Sequence, residues 1–234
     1  MKLGEALAIG IGLIVAALVF GVFFYNARST PDTVSVVGAA TQRFDSDIVK
    51  WRITVNRNTG MTDVNQGYSA IQGDVKYLRD LLKARGLSES DLTIQPVNTY
   101  PSYDREGTVS GYSIQQGMFV ITSAIAAVES LALNPAAFVA KGIMLQNSNL
   151  EYFYSKLADV KLQLLALATE DARKRADELV RNSSVKLGKI TGLRQGVFQI
   201  TEPFSTEVSD YGVYNTQTKQ KEITVTVRAS FEIR

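Results

Sequence analysis

Ile223-Thr224-Val225-Thr226-Val227-Arg228-Ala229-Ser230-Phe231-Glu232-Ile233-Arg234 alternates without a break. Ile223, Val225, Val227, Ala229, Phe231 and Ile233 fall on one side, and the polar residues between them on the other. Successive side chains of a strand point to opposite faces, so the stretch reads as a strand with one buried and one wet face. That pattern belongs to an antiparallel sheet. The same period recurs in 48–56, where Val49, Trp51, Ile53 and Val55 oppose Lys50, Arg52 and Thr54. Trp51, the chain's one tryptophan, is thereby expected in the core.

Working outward, the period changes from two to 3.6. Over 62–85, Val64, Tyr68, Ile71, Val75, Leu78 and Leu82 form one apolar stripe, with Thr62 as its expected cap and Gly86 in the left-handed position after its end. Strands are expected at 33–44, 92–99, 111–122, 143–154 and 189–201, with turns at 45–47 and 100–104. A helix over 123–141 is interrupted by Asn134-Pro135. A second long helix, 155–182, has a stripe of Leu157, Val160, Leu164, Leu167 or Ala168, Ala172, Ala176 and Leu179. Its exposed face offers the i,i+4 pairs Glu170–Lys174, Asp171–Arg175 and Asp177–Arg181. Residues 202–220 are polar, with Pro203, Asp210, Gly212 and three aromatics. Such a connection is long for a compact domain and is expected to be functional or mobile. The order of paired strands and intervening helices predicts an α+β fold, antiparallel sheet layers with helices packed on one face.

The N-terminus follows different rules. Residues 6–25 carry no charge, and at about 1.5 Å per residue they would span roughly 30 Å, the hydrocarbon thickness of a bilayer. Lys2 precedes the run, Arg28 follows it, and Phe23, Phe24 and Tyr25 sit at its far end, as in an interfacial aromatic belt. A cleaved signal peptide would have a shorter apolar region ending in small residues. The expected organisation is therefore a transmembrane signal anchor at 1–28 and a domain at 29–234 outside the cytoplasm. Gly4, Ala8, Gly12 and Ala16 recur every four residues, a stripe suited to helix–helix packing in the bilayer.

Composition narrows the chemistry. Of the 234 residues, 45% are apolar and 21% charged, an ordinary globular balance, and the net charge is +2 with no basic run, which argues against a nucleic-acid partner. The chain has no cysteine and no histidine, so a thiolate nucleophile, a Ser-His-Asp triad and a zinc ribbon are all excluded. No phosphate-binding loop and no G-x-S-x-G elbow occurs, and Gly10 and Gly12 lie inside the apolar run rather than after a strand. A Ser/Lys hydrolase has no motif in its favour. Asp45 and Asp47 read as turn residues, and no cofactor or metal site is expected. Tyr100, Tyr103 and Tyr112 are candidates to line a ligand groove or a subunit interface, with Tyr211 and Tyr214 in the long loop beside them.

Several short segments together carry a resemblance. These are Val34-Ser35-Val36-Val37-Gly38; 81–92 with its Gly86-Leu87-Ser88-Glu89-Ser90-Asp91-Leu92 end; Pro101-Ser102-Tyr103 with Gly111-Tyr112; Asp171-Ala172-Arg173-Lys174-Arg175-Ala176; and Lys186-Leu187-Gly188-Lys189. Gly196-Val197-Phe198-Gln199-Ile200-Thr201, Ser209-Asp210-Tyr211-Gly212 and Lys221-Glu222-Ile223-Thr224 continue the series. In order and spacing they resemble the SIMPL-domain family, and its membrane-anchored branch in particular. The resemblance implies an α+β domain in the bacterial periplasm, held to the inner membrane, and a ring- or cage-like homo-oligomer. It brings no catalytic residues. Two functions follow as expectations: a non-enzymatic scaffold or envelope-stress protein, assembling through exposed strands and the 202–220 loop, or a binding module for a peptide, lipid or small ligand.

Overall fold

The computed structural model describes residues 3–28 and 32–234, of which 3, 5–9 and 26–28 are described by their backbone alone. The elements in chain order are α1 (Leu3–Arg28), β1 (Thr33–Asp45), β2 (Ile48–Gly60), α2 (Val64–Ala84), β3 (Leu92–Tyr103), β4 (Val109–Thr122), α3 (Ile125–Ala132), α4 (Ala136–Val139), β5 (Met144–Phe153), α5 (Leu157–Val180), β6 (Leu187–Gln195), β7 (Gln199–Thr201), β8 (Val213–Tyr214) and β9 (Gln220–Ile233). The fold is α+β. Two compact units are distinguished: one of Met1–Ala40, Leu165–Gly196 and Thr226–Arg234, the other of Thr41–Leu164 and Val197–Val225.

The larger unit is built on a four-stranded antiparallel sheet in the order β3-β4-β2-β5. Val49, Trp51, Ile53 and Val55 of β2, with Ile114, Met118 and Val120 of β4, bury one face of it. Ile71, Val75, Leu78 and Leu82 of α2, Ile125, Val128 and Leu131 of α3, and Phe138 of α4 close the same core, so these helices cover a single face. Trp51 is fully buried, its Nε1 donates to Ser148 Oγ at 2.9 Å, and its ring lies 6.1 Å from that of Phe138. One charged pair enters this region. The Arg57 guanidinium donates through Nε and Nη2 to both carboxylate oxygens of Asp74, each at 2.7 Å, which joins β2 to α2. Residues 41–45 of β1 and 220–225 of β9 lie side by side in this unit, with Thr41 and Thr224 hydroxyls 2.9 Å apart, and β7 pairs with β9.

In the smaller unit, residues 226–233 of β9 lie between β1 and β6. Val36, Ala229 and Phe231 meet Ala172 and Ala176 of α5 in its core. Gly38 explains why alanines face the sheet. A Cβ there would collide with the Ala168 carbonyl and the Ala172 backbone, so the strand approaches the helix more closely than any side chain would allow. Next to it the Ala39 N–H donates to Asp171 Oδ2 at 2.8 Å, and Arg175 donates to the same oxygen at 2.7 Å. The Ala39 N–H, despite some opposing burial and with help from Arg175, holds the Asp171 carboxyl below its usual range.

Several expectations change. Residues 100–103 are strand, not turn, and the chain reverses at 104–108 instead. Pro101 is tolerated because β3 is an edge strand, where a missing N–H need not break a ladder. Thr62 does not cap α2: Asp63 occupies the N-cap and makes no side-chain cap bond. Gly86 does take the left-handed conformation, at φ 80°. Ala168 fills the α5 stripe, and Leu167 and Leu179 are exposed. Arg181 pairs with Glu178 at 2.9 Å rather than with Asp177. Residues 189–201 form two strands, and 202–220 contains the short β8, whose pairing with β7 is parallel. Among the described residues no helix is long and apolar enough to cross a membrane.

Candidate functional site

The 202–220 connection is long but tightly held, and all of it lies in the larger unit. Its first anchor is Gln199 on β7, whose Nε2 donates to Ser209 O at 2.7 Å while its Oε1 accepts from Ser209 N–H at 3.3 Å. Its second is Asn215. The Asn215 N–H donates to Ile200 O at 2.8 Å, its Nδ2 donates to Glu202 Oε2 at 2.7 Å, and its Oδ1 accepts the Gln217 N–H at 2.8 Å. Tyr152 N–H on β5 donates to Thr216 O at 2.7 Å, and the Tyr214 ring meets that of Phe153 edge-on.

The third anchor is Lys221, wholly buried, with no carboxylate among its hydrogen-bond partners. Its Nζ donates to Asn215 O and Thr218 O, both at 2.6 Å. Burial pushes the amine down to about 8. The two short bonds to carbonyls favour the charged form, so at neutral pH it is still an ammonium tying off the end of the loop. Ser46 Oγ is buried and has no hydrogen-bond partner, while its N–H donates to Lys219 O at 2.9 Å.

This framework presents an apolar tip. Phe204 is 82% exposed, Val208 79% and Tyr211 98%. Phe204 is the one non-glycine among the described residues with a positive φ, 65°. A bulky side chain is rarely left there, and such outliers persist only where surrounding structure enforces them. The Arg43 guanidinium lies 4.1 Å from the centre of the Phe204 ring and is itself paired with Glu222 at 2.7 Å. The aromatic side chain is thus fixed from behind and directed into solvent.

A second apolar feature belongs to the same unit. Pro135, Phe138, Val139, Ile143, Met144 and Leu145 line an open pocket of about 370 Å³. Its floor is the buried Phe138, and its rim includes Val139 and Met144, both well exposed. It stays open because α4 is a single turn and β5 is the sheet's edge strand.

The tyrosines singled out from the sequence are distributed as follows. Tyr112 is half-buried and lies opposite Pro101, so these two side chains share a face, while Tyr100 is paired with Ser113 and points to the other face. Tyr100 and Tyr103 are exposed, Tyr103 at the end of β3. Tyr211 and Tyr214 come together with the loop framework. Gly4, Gly12 and Ala16 are exposed on α1, and the side chain of Ala8 lies outside the described residues. The Asp47 carboxylate accepts from the N–H and hydroxyl of Ser155, consistent with its turn role. Sequence reasoning missed Lys221, Val208 and the position of Phe204. Lys221 could have been found, since it continues the parity of Ile223 and Val225 and therefore belongs to the buried face.

The family model described as "SIMPL: Protein of unknown function (DUF541)" matches residues 34–233. No curated protein matches the chain.

Proposed function

The chain belongs to the SIMPL family, and we propose that it is a non-enzymatic protein of the bacterial cell envelope, anchored in the inner membrane by its N-terminal helix, which assembles with its own copies as a periplasmic scaffold or in envelope-stress defence. The observation that carries the assembly is the 202–220 loop, held by Gln199, Asn215 and Lys221 yet presenting Phe204, Val208 and Tyr211 to solvent. Rigid exposed aromatics are what an interface uses, because they bury much area at little entropic cost. The anchor is supported by the uncharged run 6–25, by its place in the 26-residue helix α1, and by the exposure of Ile11, Leu13, Leu18, Phe20 and Phe23. Ring or cage geometry, with the bilayer and further copies as partners, follows from the family resemblance.

The test replaces 203–211 by a Gly/Ser segment in the full chain and compares intact masses in detergent. The variant is expected to dissociate to smaller species while remaining membrane-associated. Unchanged mass would remove the loop from the assembly.

A further inference from the structure

We infer that the Phe204 tip of one copy seats in the apolar pocket beside α4 of the next copy. The contact is head-to-tail, joining two different surfaces of the same chain. It rests on the homo-oligomeric reading above and names its interface.

Shape supports it first. A dry cavity of about 150 Å³ is enough for a benzene ring, so a pocket of about 370 Å³ takes the Phe204 ring with room for part of Val208. Both partners are preformed. The pocket floor is fixed by Phe138 against Trp51, and Phe204 is held by its backbone at φ 65° and by Arg43 behind the ring. Little ordering is lost when two such parts meet.

Charge supports it independently. Between Pro203 and Thr218 the only charged residues are Glu207 and Asp210, both acidic and both flanking the tip. Between Leu133 and Gln146 the only charged residue is Lys141, which precedes the lining residue Gly142 and lies with its Nζ 5.8 Å from the centre of the Tyr77 ring. An acidic, aromatic-tipped loop therefore meets an apolar pocket with one cation next to it in the chain. Because the two surfaces differ, each copy offers one of each, and successive copies close a ring if the rotation between them closes.

The chain has no cysteine, so introduced thiols report only on themselves. Full-length chains carrying Phe204→Cys are mixed in detergent with chains carrying Met144→Cys and mildly oxidised. A disulfide-linked dimer is expected from the mixture and from neither protein alone. Phe204→Gly, which suits a positive φ, is expected to keep or raise the thermal midpoint while weakening association roughly 30-fold, as for an interface hot spot. Lys141→Glu should weaken association, and Glu207→Lys with Asp210→Lys should restore it. A multimer that forms no mixed disulfide and is unaffected by Phe204→Gly would overturn the seating and leave the assembly itself standing. Linkage of Met144→Cys chains to one another would show a pocket-to-pocket contact and overturn it as well. A wild-type chain that is monomeric throughout would remove both.

Discussion

At the residue scale, single side chains carry much of the fold. Trp51 fills the centre of the larger unit's core and has its one polar atom satisfied by Ser148. Trp51→Ala removes a fully buried ring and orphans the Ser148 contact, so it should cost about 3–5 kcal/mol in denaturant unfolding. A loss below about 1 kcal/mol would show that the ring is not buried. Lys221 makes a prediction of opposite character. Its folded-state pKa, about 8, lies below its ordinary 10.5. Between these values the unfolded chain binds more protons than the folded one, so stability must rise with pH. Unfolding followed from pH 8 to 9.5 should show a gain on the order of 1–2 kcal/mol that Lys221→Met abolishes. Tyr152, pushed up to about 12 by burial and by its bond to Glu129, works against stability only above about pH 10 and leaves that interval clear. A wild-type curve that is flat between pH 8 and 9.5 would mean that the buried amine is fully compensated by its two carbonyls.

At the element scale, what the sequence could reveal depended on how far each element follows its own period. The alternation in 48–56 and 223–234 marked β2 and β9, and the stripe of α2 was legible for the same reason. Asp74 was passed over, although it lies three residues after Ile71 and four before Leu78, an acid on the apolar face that must find a cation. That the cation is Arg57, brought from β2, depends on a pairing between elements that no local pattern encodes. Asp74→Ala should cost about 3 kcal/mol, since it leaves a partly buried guanidinium without its bidentate partner. Glu170→Ala, which breaks the exposed pair with Lys174, should cost no more than about 0.5 kcal/mol. Equal costs would show that the Arg57–Asp74 pair does not tie strand to helix. Pro101 suggested a turn because its edge-strand position is a property of the sheet and not of the segment. On α5 the expected stripe already held Ala172 and Ala176 and left Leu167 or Ala168 open; the choice of Ala168 was hidden because it depends on Gly38, which brings the strand too close for a larger side chain.

At the scale of the whole molecule, function was less legible than fold. The absence of histidine and cysteine narrowed the chemistry, and the long loop was marked as notable by its length alone. Its organisation was hidden, because Gln199, Asn215 and Lys221 hold it from positions that look unremarkable in sequence. The strained backbone at Phe204 has no local signature either, since neither glycine nor asparagine stands there. What results is a chain with an apolar helix at one end, a built loop offering aromatics, and a shallow apolar pocket with no element over it. These features share one explanation if copies of the chain bind one another. The most direct measurement is the mass of the full-length wild-type protein in detergent across a hundredfold range of concentration. The account predicts a defined multimer that persists on dilution, and a single monomeric mass at every concentration would contradict it.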